Sequence, residues 1–83
     1  MDIEFDPEKD QANLAKHGVS LARAVDLIDV IVVKDERFDE PRFRLYGAID
    51  GVAHCAAVTM RGGVVRVISL RRAHRKEMRR HGR

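Results

Sequence analysis

The sequence predicts an α+β domain: two N-terminal helices on an antiparallel sheet, made of a three-stranded meander plus short N-terminal strands, with a basic helix at the C-terminus. Three observations carry this. Asp50-Gly51 and Gly62-Gly63 are two-residue hairpin signals between strand-like segments. Asp6-Pro7 and Gly18 bracket a segment with helix-start and helix-stop residues. The chain has 83 residues, which bounds it to a single domain, 1–83, with a modest core.

In order, Asp2–Phe5 alternates polar and apolar and reads as a short strand. Asp6 caps a helix that Pro7 begins, Glu8 suits the positive end of its dipole, and Gly18 ends it after His17. Ser20 caps a second helix, with Val19 and Ala24 as a hydrophobic staple. Leu21, Ala24, Val25 and Ile28 give it a buried stripe at helical spacing, and Asp29 ends it. Val30–Val33 is a β-branched run and reads as a strand. Lys34–Pro41 is a charged loop. The meander follows as Arg42–Ile49, Val52–Arg61 and Val64–Leu70, and the tail from Arg72 to about His81 reads as a helix.

Composition excludes several classes. Hydrophobic residues at 45% with 35% charged residues fit a folded soluble chain. No apolar run nears the roughly 20 residues that span a bilayer, and the acidic N-terminus lacks a signal-peptide core, so a cytoplasmic location without membrane contact is expected. Cys55 is the single cysteine, and His17, His54, His74 and His81 lack metal-ligand spacing, so neither a metal site nor a cofactor is expected. The net charge of +3 hides a split. Residues 1–50 carry 7 Lys/Arg and 12 Asp/Glu, net −5; residues 51–83 carry 9 and 1, net +8. Such asymmetry suits a surface offered to a polyanion, or a basic half contacting the acidic half.

Two-residue turns fix register. Paired positions then sum to 101 in the first hairpin and 125 in the second. Arg42, Thr59 and Arg66 form one row; Arg44, Ala57 and Ile68 the next; Tyr46, Cys55 and Leu70 the third. Phe43, Leu45, Ile49, Val58, Met60, Val65 and Val67 share a core face beneath the helices. Arg42, Arg44, Tyr46, Thr59, Arg61, Arg66 and Arg72 share the other. Five arginines on one face call for a counter-charge, either phosphate or the acids of the 34–41 loop. A bulge in either hairpin would flip one strand.

Several pieces, in order, resemble the BrnT-type toxins of type II toxin–antitoxin pairs: Phe5–Lys9 (FDPEK), Asn13–Val19 (NLAKHGV), Arg42 five residues before Gly47, Thr59 two before Arg61, and Arg66–Ala73 (RVISLRRA) followed by Glu77. The resemblance covers nearly the whole chain. It implies a small ribonuclease with a RelE-like fold that cleaves RNA and slows translation. It implies an antitoxin partner, BrnA, with a ribbon-helix-helix part, and contact with operator DNA only through that complex. Carried over by position, Thr59, Arg61, Arg71 and Arg72 are the catalytic candidates, and Arg42 and Arg66 match motif positions. Members often carry tyrosine four residues after the tail glutamate; here that position is His81. The predicted register sets Arg71 on the helix-covered face near His54 and Arg72 on the basic face, whereas the resemblance asks both to be functional.

The chemistry expected is metal-independent: the substrate's 2′-OH attacks the adjacent phosphate, and arginines stabilise the added charge. Arg61 and Arg72 are expected to clamp the phosphate, with Arg71 joining or bracing them. Thr59 orients the phosphate or the 2′-OH. His74 and His81 are of the residue type suited to acid–base work near neutral pH, or are surface histidines. His54 reads as structural and Cys55 as a buried small residue. Tyr46 either stacks on a base or packs against Leu70. Glu77 either braces an arginine or pairs locally with Lys76 or Arg80. Arg44, Arg66, His74 and Arg75 complete the RNA-binding set, and Arg75, Lys76, Arg79, Arg80 and Arg83 form a solvated or partner-facing run. A non-catalytic nucleic-acid-binding module and a subunit that only docks an acidic partner are the competing readings.

Overall fold

The computed structural model describes residues 1–81, so Arg83 lies outside the described residues. Its five strands are β1 (Ile3–Glu4), β2 (Ile28–Asp35), β3 (Arg42–Ile49), β4 (Val52–Arg61) and β5 (Val64–Arg72), ordered β1-β5-β4-β3-β2 in one sheet. Both hairpins close as their turn residues dictate. Asp50 and Gly51, and Gly62 and Gly63, all take positive φ, the geometry that matches strand twist. The β3–β4 register runs from Arg42 opposite Thr59 to Ile49 opposite Val52, as predicted. The sheet is mixed, however, not antiparallel. β1 runs parallel to β5, with Ile3 opposite Val65 and Glu4 opposite Arg66.

Helix α1 (Pro7–His17) has the expected ends. The Asp6 carboxylate accepts from the Glu8 N–H at 2.9 Å, and the Gly18 N–H, at φ 72°, donates to the Leu14 carbonyl. Its anchor is polar. Asn13 is the one buried residue of the helix, and its amide bonds both backbone groups of Leu70 while also donating to the Val19 carbonyl. Above β1 the edge of β5 has no neighbouring strand, so Asn13 supplies the missing ladder partners in a place water does not reach.

The second predicted α-helix is instead a 3-10 helix, Leu21–Asp26, and Ile28 belongs to β2. Side chains of a 3-10 helix eclipse every third residue, so Leu21, Ala24 and Leu27 turn inward while Val25 and Ile28 are exposed. The strand predicted at Val30–Val33 extends to Ile28–Asp35, with an irregularity around Asp29, whose φ is 54°. The loop is correspondingly shorter than Lys34–Pro41. Gly47 lies beneath this crossing: a Cβ there would stand 2.8 Å from the Ile28 carbonyl oxygen.

The largest departure is in β5. Pairing with β4 follows the predicted sum as far as Val58 opposite Val67, then shifts by one residue, so that Ser69 faces Ala57, Leu70 faces Ala56, Arg71 faces Cys55 and Arg72 faces His54. A bulge absorbs Ile68. Its physical reason is burial. Val67 is 1% and Leu70 0% exposed, both in the core, though three residues apart they would point to opposite faces of a regular strand. The core cluster unites them with Leu21, Ala24, Leu27, Leu45, Ile49, Ala56 and Val58. Met60, predicted in the core, is 45% exposed. Helix α2 is short, Arg75–Arg80, because Arg72 stays in β5.

Candidate functional site

The bulge reassigns two arginines. Downstream of Ile68 every side chain changes face relative to the prediction. Arg71 joins Arg42, Arg44, Arg61 and Arg66 on the basic face, and Arg72 moves to the opposite one. There Arg72 borders a depression with His17, Arg23, Asp50 and His54. The expected clamp of Arg61 and Arg72 is therefore not assembled, because the two project from opposite faces of the sheet.

What does assemble is a cleft of about 370 Å³ on the basic face. Cys55, Ala57 and Ser69 make a floor of small side chains. Arg42 and Arg44 rise from β3 on one side and Arg71 from β5 on the other, with Arg37 and Phe38 from the β2–β3 turn at the rim. The larger concavity, about 580 Å³ on the opposite face, is lined by Met1, Val30, Val32, Met60 and other apolar residues. It lacks the donors an anion needs.

The arginines differ in how they are held. Arg71 makes a two-pronged contact with Glu77, Nη1 to Oε1 at 2.7 Å and Nη2 to Oε2 at 2.9 Å. Glu77 also accepts from the Tyr46 hydroxyl at 3.0 Å and from the His74 N–H at 2.8 Å, so one carboxylate joins β3, β5 and the start of α2. The Arg71 guanidinium is the main cause that holds its pKa down at about 2, and these other donors add to the effect. This settles the choice for Glu77: it braces an arginine. Arg42 pairs with Glu40 at 2.8 Å and Arg66 with Glu4 at 3.4 Å. Arg44 and Arg61 form no ion pair among the described residues, and the Nε of Arg44 is buried without a hydrogen-bond partner. Among the arginines of this face the loop acids pair directly with Arg42 alone, while Asp35, which also lines the cleft, acts on Arg44 through its charge. Asp35 is occupied by Arg37, whose side chain bonds both its oxygens at 2.9 and 2.7 Å and holds it well below the usual carboxylate range.

Other candidates land elsewhere. Thr59 is buried, and its hydroxyl donates to the Pro41 carbonyl at 2.5 Å, so it ties the end of the loop instead of facing a substrate. Tyr46 is buried under α2 with the His81 ring stacked on it at 4.9 Å, which leaves it no open face for a base. Nor does it pack on Leu70, which the bulge sends to the core. Burial is the first cause that raises its hydroxyl pKa. His81 is thereby a packing partner of Tyr46, and neither it nor His74, at the exposed N-cap of α2, borders the cleft. Arg75 is exposed on the first turn of α2, and Arg61 on the basic face beside the Gly62-Gly63 turn. His54 is buried with Nδ1 2.7 Å from the Val52 carbonyl oxygen. Cys55 is buried, and that burial pushes its thiol pKa up. No cluster of His, Cys, Asp or Glu suited to a metal occurs among the described residues. Sequence reasoning missed Asn13, Phe38 and Ser69. For Phe38 a signal existed: it is the one aromatic residue in an otherwise charged loop.

Comparison with known proteins gives a consistent picture. Residues 5–77 match the sequence model of a family described as ribonuclease toxin, BrnT, of type II toxin-antitoxin system. Among solved structures, the chain is similar to the crystal structure of the Brucella abortus ribonuclease toxin BrnT, at 26% identity and a TM-score of 0.75, with 90% of this chain and 99% of that chain covered. No curated protein matches.

Proposed function

Since this chain belongs to the BrnT ribonuclease toxin family of type II toxin–antitoxin systems, we propose that it cleaves RNA in the cleft between Arg42, Arg44 and Arg71, without a metal ion. The observation that carries this reading is the shift of Arg71 onto the face of Arg44, over a floor small enough to admit a phosphate.

In the proposed reaction the 2′-oxygen of the substrate attacks the adjacent phosphorus. The bond to the 5′-oxygen breaks, leaving a 2′,3′-cyclic phosphate and a 5′-hydroxyl. The pentavalent species carries extra negative charge on its equatorial oxygens, and fixed guanidiniums lower its energy most. Arg71 arrives pre-oriented by Glu77, and Arg44 lines the cleft without an ion-pair partner among the described residues. The cleft offers no good base: Asp35 is held as a weakly basic carboxylate, and Cys55 keeps its proton at neutral pH. The chain therefore contributes orientation and charge, and water carries the proton from the 2′-OH and to the 5′-oxygen.

The partner proposed is a BrnA-type antitoxin with a ribbon-helix-helix part, and operator DNA is reached only through that complex. No helix among the described residues is long and apolar enough to cross a membrane, and a cytoplasmic site of action is proposed.

The test is incubation of purified protein with RNA in EDTA. Wild type cleaves. Arg71→Ala and Arg44→Ala each lose about a hundredfold in rate, as expected for removing one preorganised charge-stabilising donor. Arg72→Ala stays within about twofold, the effect of an ordinary surface substitution. RNA that is gel-shifted but intact would favour the non-catalytic binding module, and equal losses in Arg71→Ala and Arg72→Ala would remove the cleft as the site.

A further inference from the structure

Phe38 stands at the mouth of the arginine cleft and is 41% exposed. Its surroundings are unusual for an exposed phenylalanine. The Arg42 guanidinium packs on its ring at 4.0 Å from the centroid, and that of Arg37 lies at 5.5 Å. Both guanidiniums are fixed from behind, Arg42 by Glu40 and Arg37 by Asp35. The ring is thus held as a platform at the edge of a cationic cleft instead of folding into the core. The cation–π contacts themselves contribute to the stability of the turn, and they leave the ring partly exposed beside a cationic track, the pairing by which single-stranded RNA is bound.

We propose that Phe38, with Arg42 on its ring, is a nucleobase-stacking subsite for a nucleotide next to the phosphate held by Arg44 and Arg71. The proposal rests on the reading that the cleft holds an RNA phosphate, and adds to it how the chain grips a base. Tyr46, for which the sequence left base stacking and packing equally open, is buried and covered by His81, so the role falls to the β2–β3 turn. Stacking accepts any base, because every base has a π-face; the subsite therefore adds affinity with little sequence preference.

The chain contains no tryptophan, so Phe38→Trp places a single fluorescent reporter in the subsite. It is titrated with a 2′-O-methyl RNA oligonucleotide, which cannot be cleaved, and with an abasic strand of equal length and charge. Binding of both is followed independently by anisotropy of an end label. The expected result is that RNA quenches the tryptophan and the abasic strand does not. Phe38→Ala and Phe38→Leu bind the RNA about tenfold more weakly than wild type while binding the abasic strand equally well. RNA that binds without quenching, with unchanged affinity in Phe38→Ala, would overturn the subsite and leave the cleft standing. Equal quenching by both strands would overturn it too, since the ring would then report phosphate charge alone. Failure of both strands to bind wild type would overturn the cleft and the subsite together.

Discussion

Replacing Glu77 by glutamine removes one charge and keeps the shape. In the native protein this carboxylate takes two bonds from Arg71, one from Tyr46 and one from the His74 N–H. Its side chain is 17% exposed, so solvent screens it only partly. Its pKa falls from the ordinary 4.5 to about 2. At 1.36 kcal/mol per unit that is about 3 kcal/mol as an upper figure, and about 2 kcal/mol after allowing for screening. The sign follows from linkage. A carboxylate with a depressed folded-state pKa stabilises fully above its unfolded pKa and loses that contribution as pH falls through the folded value. Glu77→Gln should therefore be about 2–3 kcal/mol less stable than wild type at pH 7, with the gap closing between about pH 5 and pH 2. Urea denaturation at pH 7, 4, 3 and 2.5 measures it. A gap that stays constant across this range, or one below about 0.5 kcal/mol at pH 7, would refute the bracing role, because ordinary surface substitutions reach that size. In the RNA assay the same variant should lose rate along with Arg71→Ala, since an unbraced Arg71 no longer arrives oriented.

Three further outcomes are expected. Asn13→Ala leaves the buried N–H and carbonyl of Leu70 without partners and should cost about 2–4 kcal/mol, read by urea denaturation. That is a large share of the roughly 4–12 kcal/mol available to a domain this size. Gly47→Ala drives a Cβ to 2.8 Å from the Ile28 carbonyl and against Leu27 and Val30; it should lower stability by about 2 kcal/mol or more, seen as a Tm drop of about 8–16 °C. Cys55, buried with its thiol pKa raised, should resist a water-soluble thiol reagent at pH 7 in the native state and react fully in denaturant.

LARAVDLI carries apolar residues at spacings that suit both an α-helix and a 3-10 helix. The choice fell to Leu27, which the sheet buries, over Ile28, which begins an edge strand. Thr59 and Tyr46 sit on the sheet face their spacing predicts, yet one hydroxyl is spent on Pro41 and one ring is covered by α2. Face is legible from periodicity where no bulge intervenes, as along β3 and β4; accessibility is not, because it depends on what later packs above.

Local chemistry alone determined the hairpins, the α1 caps and the register of β3 on β4, since two-residue turns and left-handed glycines act over a few residues. It also placed a row of arginines on one side of the sheet. Only the tertiary structure decided which arginines complete that row. The bulge at Ile68 exists because Val67 and Leu70 are both drawn into one core and because Asn13, 57 residues earlier in the chain, holds the backbone of Leu70. Neither cause is local to Arg71 or Arg72, so spacing placed each on the wrong face, and burial of two neighbours exchanged them.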